Sequence, residues 1–426
     1  MLTTEIKNLI SEMFNSTPKH IGVGYGYKKV NGAMTNQESI VFFVPEKKPL
    51  HLLTPNEVLP NDSFEINGRT LQYDVVEIGD VRAQACNPEC YEWQTTTPSN
   101  RLFIRPVQGG ISMTTKVNLG YVGTLGFIAV DTQTQSLVGV TNNHVAIKDS
   151  SFTSQRNLNG IIQNEYDITD GGTPNPDSAY QSGEFSNPPN SYIIGQVIRY
   201  VPLSFDISSP IQNKVDGALI SLSGTPILSL TESYKQFGMT SISNPLEFAT
   251  SNELDNLLIE NPMVKSSGRT TGVKDGQPCP LRVAYVGASV TVSGYNIQGI
   301  STDVIFNDCF VFVRPSNDPD ISVICINPTF GGDSGSAIIG EFTGTGVNKI
   351  IGLNFAGSDL YGIANRIDHV ASELGIEAWD GTLKNLVDTN SAQYRTVIGA
   401  SSAMTENCGG TSYWQVGLTR LNNPCI

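Results

Sequence analysis

Apolar residues in this chain come in short runs, bounded by glycine, asparagine, serine and proline. Residues 120–130, 137–141, 216–222, 283–292, 303–313 and 350–356 are examples. Runs of this length, closed off by turn residues, read as buried strands rather than helices. Glycine at 41 and proline at 23 add to the bias. Helical periodicity is confined to two places. Residues 1–15 put Ile6, Leu9, Ile10, Met13 and Phe14 on one face. Residues 368–374 read as a second, closing helix that carries His369. The expected fold class is therefore mainly β.

The outer bounds follow from length and charge. A chain of 426 residues holds about two to four compact units. Hydrophobic residues at 39% and charged residues at 15% supply a globular core. A net charge of −14, with no dense lysine or arginine cluster, excludes a nucleic-acid groove. No apolar run approaches membrane-spanning length, so no membrane partner is expected. Glu5 and Lys7 interrupt the first apolar positions, which reads as an amphipathic helix rather than a secretory leader. Seven cysteines, at 86, 90, 279, 309, 325, 408 and 425, cannot all pair within one chain. Cys86 and Cys90 lack a second pair of ligands, so neither metal nor cofactor is expected. Free thiols fit a reducing compartment, and the expected location is cytoplasmic.

The chain divides at 80, 108 and 378. Residues 1–80 form a small N-terminal α+β domain, with strands at 21–29, 38–44 and 71–78 and a turn at Val30-Asn31-Gly32. Residues 81–108 are a linker. Residues 109–378 carry most of the strands. Within them, 149–190 is a long Asn-, Ser-, Gly- and Pro-rich loop. Residues 379–426 are a C-terminal extension.

Chemistry concentrates in Phe330-Gly331-Gly332-Asp333-Ser334-Gly335-Ser336-Ala337. Two glycines allow a tight turn that aims successive N–H groups at one point. The amides of Gly332 and Ser334 are candidates for an oxyanion hole beside the Ser334 hydroxyl. Apolar runs at 321–326 and 337–339 place this serine on a loop between strands. It lacks the strand–helix elbow and the G-x-S-x-G spacing of an α/β-hydrolase.

A serine nucleophile needs a base. The four histidines are His20, His51, His144 and His369. Only His144 ends an apolar strand, in Leu137-Val138-Gly139-Val140-Thr141-Asn142-Asn143-His144. The base needs an acid to hold its tautomer. Asp216, in Val215-Asp216-Gly217-Ala218-Leu219, opens a hydrophobic strand where an unpartnered carboxylate would be costly. Asp206, the runner-up, reads as a turn acid ahead of Ser208-Ser209-Pro210. The acid follows the histidine by 72 residues, and the serine follows the acid by 118 (334 − 216). That spacing suits one barrel carrying the histidine and the acid and a second carrying the serine.

Thr141-Asn142-Asn143-His144-Val145, Val215-Asp216-Gly217-Ala218-Leu219 and Gly332-Asp333-Ser334-Gly335-Ser336 together resemble the three motifs of trypsin-like serine proteases. Gly268-Arg269-Thr270-Thr271-Gly272 and Asn354-Phe355-Ala356-Gly357-Ser358 are similar to stretches of a bacterial and plant subgroup that includes the plant narrow-leaf protease. The resemblance covers about 106–378 well and 18–80 loosely. It implies a chymotrypsin-like double β-barrel and hydrolysis of protein or peptide substrates through an acyl-enzyme. His144, Asp216 and Ser334 would be the catalytic set. It further implies a pocket for the residue before the scissile bond, walled by Pro328, Thr329, Asn354, Phe355 and Ala356. The position that selects basic residues in this fold holds Pro328, so a small or apolar residue is expected there. Val145 and Phe330 stand where secreted relatives carry cysteines, so the secreted disulfide pattern does not transfer. In trypsin-like zymogens a freshly cut amino terminus pairs with the acid before the serine, here Asp333. Arg105-Pro106 is a poor cut site, so Asp333 is expected to be buried and to find internal donors.

Arg269 sits in a Ser-Gly-Arg-Thr-Thr-Gly stretch that by itself reads as a hairpin turn with one exposed arginine. Two functional readings follow from the whole. One is an intracellular serine endopeptidase, with residues 1–80 or the 149–190 loop available for self-association or a regulatory partner. The other is a catalytically silent barrel used as a binding or scaffold module; an esterase on the same fold shares the first reading's residues.

Overall fold

The computed structural model describes residues 1–16, 20–30, 33–59, 63–83, 99–147, 178–183, 192–204, 213–222, 232–276, 280–297, 300–314, 327–342 and 346–382. The run at 321–326, Asp206, most of the 149–190 loop, the extension beyond residue 382 and every cysteine except Cys309 lie outside them.

Two sheets organise the chain. In the first, antiparallel pairing runs from Phe127–Asp131 through Leu137–Thr141, Ala218–Ser221, Ile193–Tyr200 and Ser178–Tyr180 to Ile111–Thr115 and Gly123–Leu125. The last and first of these strands are one stretch of chain, broken only at Gly126, whose N–H donates to Val140 O at 2.7 Å. The pairing therefore comes back on itself. Strands Ile111–Thr115, Phe127–Asp131 and Leu137–Thr141 are buried along their whole length. That explains the continuous apolar runs at 127–130 and 137–140, while Ile111–Thr115 buries Ser112, Thr114 and Thr115 as well. One side faces the interior, where Ile111, Leu125, Val130, Val197 and Ile220 pack. The other side packs on the second sheet, with Phe127, Val138, Val140 and Leu219 in one cluster with Ile338 and Leu353.

The second sheet repeats the scheme. Met263–Gly268, Ala337–Phe342, Val347–Gly357, Tyr361–Arg366, Ile300–Val313 and Arg282–Ile297 pair antiparallel in that order. Val264 bridges back to Leu281, one residue before the last strand. The long strand Arg282–Ile297 also pairs on its other side with Gly22–Val30. Through it Ala33–Val44, Arg69–Glu77 and Phe64–Ile66 extend the same sheet. Strands Gly22–Val30 and Ala33–Val44 form the hairpin expected around residues 30–32, with Val30 opposite Ala33. Ala33–Val44 and Arg69–Glu77 run parallel. The helix Thr4–Ser16 buries Ile6 and Ile10 against this layer, with Leu9, Met13 and Phe14 partly covered.

The helix Ile367–Leu374 leaves the second sheet and returns the chain to the first, where Ile376–Ala378 pairs with Phe127–Asp131. A buried ion pair fastens this return. Arg199 Nη1 lies 3.0 Å from Asp131 Oδ1 and donates to Leu374 O at 2.6 Å. Its Nη2 donates to Gln133 Oε1 at 2.8 Å. Removing one member of such a pair strands a buried charge, at a cost of about 3–5 kcal/mol. Arg199→Met should therefore lower the urea midpoint substantially. Asp131→Asn combined with Arg199→Met should recover part of the loss, because no charge is then left unpaired.

Candidate active site

His144 stands on the single-turn helix Asn143–Ala146, immediately after the strand Leu137–Thr141. Neighbours in the first sheet hold this turn. Asn118 Nδ2 donates to His144 O at 3.1 Å and to Val145 O at 3.0 Å. Thr115 Oγ1 donates to Ala146 O at 2.7 Å. Asp216 precedes the strand Ala218–Ser221, which pairs with Leu137–Thr141. That pairing brings residues 72 apart in sequence into contact.

Asp216 is fully buried, yet every part of it is bonded. Oδ1 accepts from His144 N at 3.2 Å, and Oδ2 lies 2.5 Å from His144 Nδ1. Asp216 N donates to Asn365 Oδ1 at 2.9 Å, and Asp216 O accepts from Asn142 Nδ2 at 2.6 Å. Tyr295, from the far end of the strand Arg282–Ile297, adds its hydroxyl to Oδ2 at 2.6 Å. With Nδ1 bonded to the carboxylate, the other imidazole nitrogen is the one left for chemistry. His144 Nε2 is buried and has no hydrogen-bond partner among the described residues. The remaining histidines sit elsewhere. His20 packs on Phe14 and Phe42, His51 is exposed, and His369 Nε2 lies 2.9 Å from Asp308 Oδ2.

Ser334 lies on the turn that enters the strand Ala337–Phe342. Thr124, in the first sheet, ties this turn to the strand end that carries His144. Its N–H donates to Ser334 O at 2.8 Å, its hydroxyl donates to Gly332 O at 2.9 Å, and its carbonyl accepts from Thr141 Oγ1 at 2.8 Å. The Ser334 hydroxyl donates to Phe355 O at 3.2 Å and makes no hydrogen bond to His144. Among the described residues, the amides of Gly332 and Ser334 donate to nothing. The turn positions them as a pair of open donors.

The backbone of this turn is paid for by two glycines. Gly332 has φ +96°, and a Cβ there would sit 2.5 Å from Thr270 Oγ1 and 3.0 Å from Arg269 Cδ. Gly335 has φ +91°, and its Cβ would meet Thr124 O at 2.2 Å.

Between the glycines, Asp333 is 2% exposed and points inward. Its carboxylate accepts from the N–H groups of Thr270 at 2.8 Å, Thr271 at 3.0 Å and Phe330 at 3.0 Å, and from the Thr271 hydroxyl at 2.6 Å. Lys274, also buried, donates to Thr271 Oγ1. Burial pulls the Lys274 ammonium below its ordinary range, and Asp333 opposes that pull. Three of the four donors to Asp333 come from the turn of the hairpin Met263–Gly268 and Gly272–Lys274, and the fourth, Phe330 N, from the serine turn itself. The expected hairpin is present, but its arginine, expected to be exposed, is not. Arg269 is 0% exposed: its Nη1 donates to Thr270 Oγ1 at 3.0 Å, and its Cδ packs against Gly332. Local turn chemistry gave no sign that this loop is covered by the serine turn and by Arg101, whose Nε donates to Arg269 O at 3.1 Å.

The pocket candidates form a continuous group beside Asp333. Asn354 Nδ2 donates to Thr329 Oγ1 at 2.8 Å and to Asp333 O at 3.1 Å. Pro328 and Thr329 are buried. A bulge between Asn354 and Ala356 turns Phe355 so that its carbonyl meets Ser334 while its ring packs on Phe306 at 4.5 Å. Among the described residues no group of His, Cys, Asp and Glu is arranged to hold a metal ion. Among them, too, no helix is long and apolar enough to cross a membrane.

Tyr295, Thr124, Asn365 and Lys274 were not singled out by the sequence. Tyr295 lies three residues beyond the apolar run at 283–292, and only the structure extends that strand to Ile297. Its contact with an acid 79 residues earlier has no local signal.

No protein-family model matches the chain, and no curated protein matches it. Solved structures similar to it are serine proteases. A glutamic acid-specific serine protease is 14% identical, with a TM-score of 0.32, over 64% of this chain and 100% of its own. Nocardiopsis protease (NAPase) is 14% identical at a TM-score of 0.31, and Cellulomonas bogoriensis chymotrypsin 12% at 0.33. Both are covered over 98% of their length and over 64% of this chain. At this level the likeness carries no argument, and the chemistry rests on the residues described above.

The serine turn itself is testable. Gly332→Ala combines a left-handed φ, worth about 1–3 kcal/mol of strain, with a contact too close to Thr270. It should lower the urea midpoint, whereas Gly346→Ala, at φ +65° with open space around it, should cost less.

Proposed function

We propose that this protein is a serine endopeptidase of chymotrypsin-like double-barrel architecture, with Ser334 as nucleophile, His144 as base and Asp216 as the orienting acid. The observation that carries the reading is the His144–Asp216 pair. A buried carboxylate fixes Nδ1 and leaves Nε2 open, on a turn tied through Thr124 to the serine.

In the resting arrangement the Ser334 hydroxyl is bonded to Phe355 O. Catalytic hydrogen bonds are often unmade before substrate binds. On substrate binding the hydroxyl exchanges this acceptor for His144 Nε2. Nε2 takes the proton as Oγ bonds to the scissile carbonyl carbon. The carbonyl oxygen gains the negative charge and is received by the Gly332 and Ser334 amides. His144, now an imidazolium held by Asp216, gives its proton to the departing amine nitrogen as the C–N bond breaks. Water then attacks the ester by the same route, and Ser334 recovers its proton.

Asp333 orients this turn. Its four donors come from the folded chain, so the oxyanion site needs no newly cut amino terminus. The uncut chain is competent, and restraint comes from self-association or a partner at residues 1–80 or 149–190.

Fluorophosphonate should label Ser334 in the intact protein, with the Met1-containing terminus confirmed by mass spectrometry. Absence of labelling, or labelling only after proteolytic trimming, would contradict the competent-chain reading. Ser334→Ala and His144→Ala should each lower kcat/KM by several orders of magnitude, and the double variant little further, since the groups act as a unit.

Pro328, Thr329 and Ala356 offer no charge to the residue before the scissile bond. Cleavage of a peptide library should therefore favour small or apolar residues there; cleavage chiefly after arginine or lysine would refute that pocket.

A further inference from the structure

We propose that Tyr295 is a positioning residue for the triad: its phenol holds the Asp216 carboxylate from the second sheet and tempers how strongly that carboxylate draws on His144. The proposal builds on the triad assigned above.

The geometry is specific. Asp216 Oδ2 is shared by two donors, His144 Nδ1 at 2.5 Å and the Tyr295 hydroxyl at 2.6 Å. Among the described residues, the remaining bond to the Asp216 side chain comes from the backbone of His144. Tyr295 is therefore the side-chain anchor that the second sheet supplies. It is also the group that competes with the imidazole for the same oxygen. A donor to a carboxylate stabilises its charge and weakens its pull on a second donor.

The ring has no freedom to leave. It meets the His144 ring edge-on at 5.5 Å and 85°. On its other side lies Phe306 at 5.7 Å, and Phe306 in turn packs on Phe355 at 4.5 Å. This aromatic row joins the histidine to the residue whose carbonyl receives the Ser334 hydroxyl.

The phenol is also a constant donor. Burial, then the charge of Asp216, pushes its pKa far above the ordinary tyrosine range, so it keeps its proton wherever the fold persists. The titratable groups around the pair are His144 from the turn after Leu137–Thr141 and Cys309 from Ile300–Val313. Burial pushes the Cys309 thiol up, so it stays neutral as well.

Tyr295→Phe deletes the donor and keeps the ring. The carboxylate then draws harder on the imidazolium. The acid limb of the kcat/KM profile should move to higher pH by about half a unit, kcat should fall about tenfold, and KM should stay within about twofold. In an Asp216→Asn background the same change should have less than about a twofold effect, because Tyr295 acts through Asp216. Fluorotyrosine at position 295, a stronger donor, should move the limb to lower pH.

An acid limb that does not move, or an equal loss in both backgrounds, overturns the proposal and leaves only a packing role. The His144 imidazole is followed in parallel by NMR titration in wild type and Tyr295→Phe. If Ser334 is neither labelled nor active, the peptidase reading fails by itself. A shifted imidazole titration still supports the Tyr295–Asp216 coupling in that case, and an unshifted one overturns it.

Discussion

A carboxylate with no access to water has to be satisfied by the protein, and Asp216 sets that requirement for the whole site. Its side chain is bonded by the backbone and ring of His144 and by the hydroxyl of Tyr295. Its backbone is bonded by Asn142 and Asn365. Two of these partners belong to the first sheet and two to the second. An unpaired charge in that place would cost several kcal/mol, so the docking of the two sheets and the integrity of the site are one condition. The apolar cluster that joins Phe127, Val140 and Leu219 to Ile338 and Leu353 supplies the driving force. The polar contacts fix the register in which that force is realised.

The serine turn follows the same logic with a second buried acid. Asp333 collects three backbone amides and one hydroxyl, all from its own turn or the adjacent hairpin. The amides of Gly332 and Ser334 donate to nothing among the described residues. Two left-handed glycines make the turn possible. Conformational cost, buried charge and open donors are thus three sides of one local arrangement.

Thr124 shows how little material couples these centres. One residue bonds both the serine turn and the strand end that leads to His144. It also accepts the Arg269 amide through its hydroxyl, at 2.9 Å. Its hydroxyl and both of its backbone groups are all in use between the strand end and the serine turn.

Much of this was legible from the chain alone. Short apolar runs between turn residues specify strands because a strand buried on both faces favours apolar residues at successive positions, as at 127–130 and 137–140. His144 and Asp216 stood out because each is a polar residue at the edge of such a run. Glycines around Ser334 marked a turn that other residues cannot make. The tertiary structure decided what lies across the sheets. Tyr295, beyond the apolar run at 283–292, carries no signal in the sequence and holds the acid. Arg269 looked like an exposed turn residue and is buried against Gly332. The parking of Ser334 on Phe355 O depends on a bulge in a strand 21 residues away. Sequence periodicity reports which face of an element is dry. It carries no information about which distant element covers that face, because that is settled only when the two sheets meet.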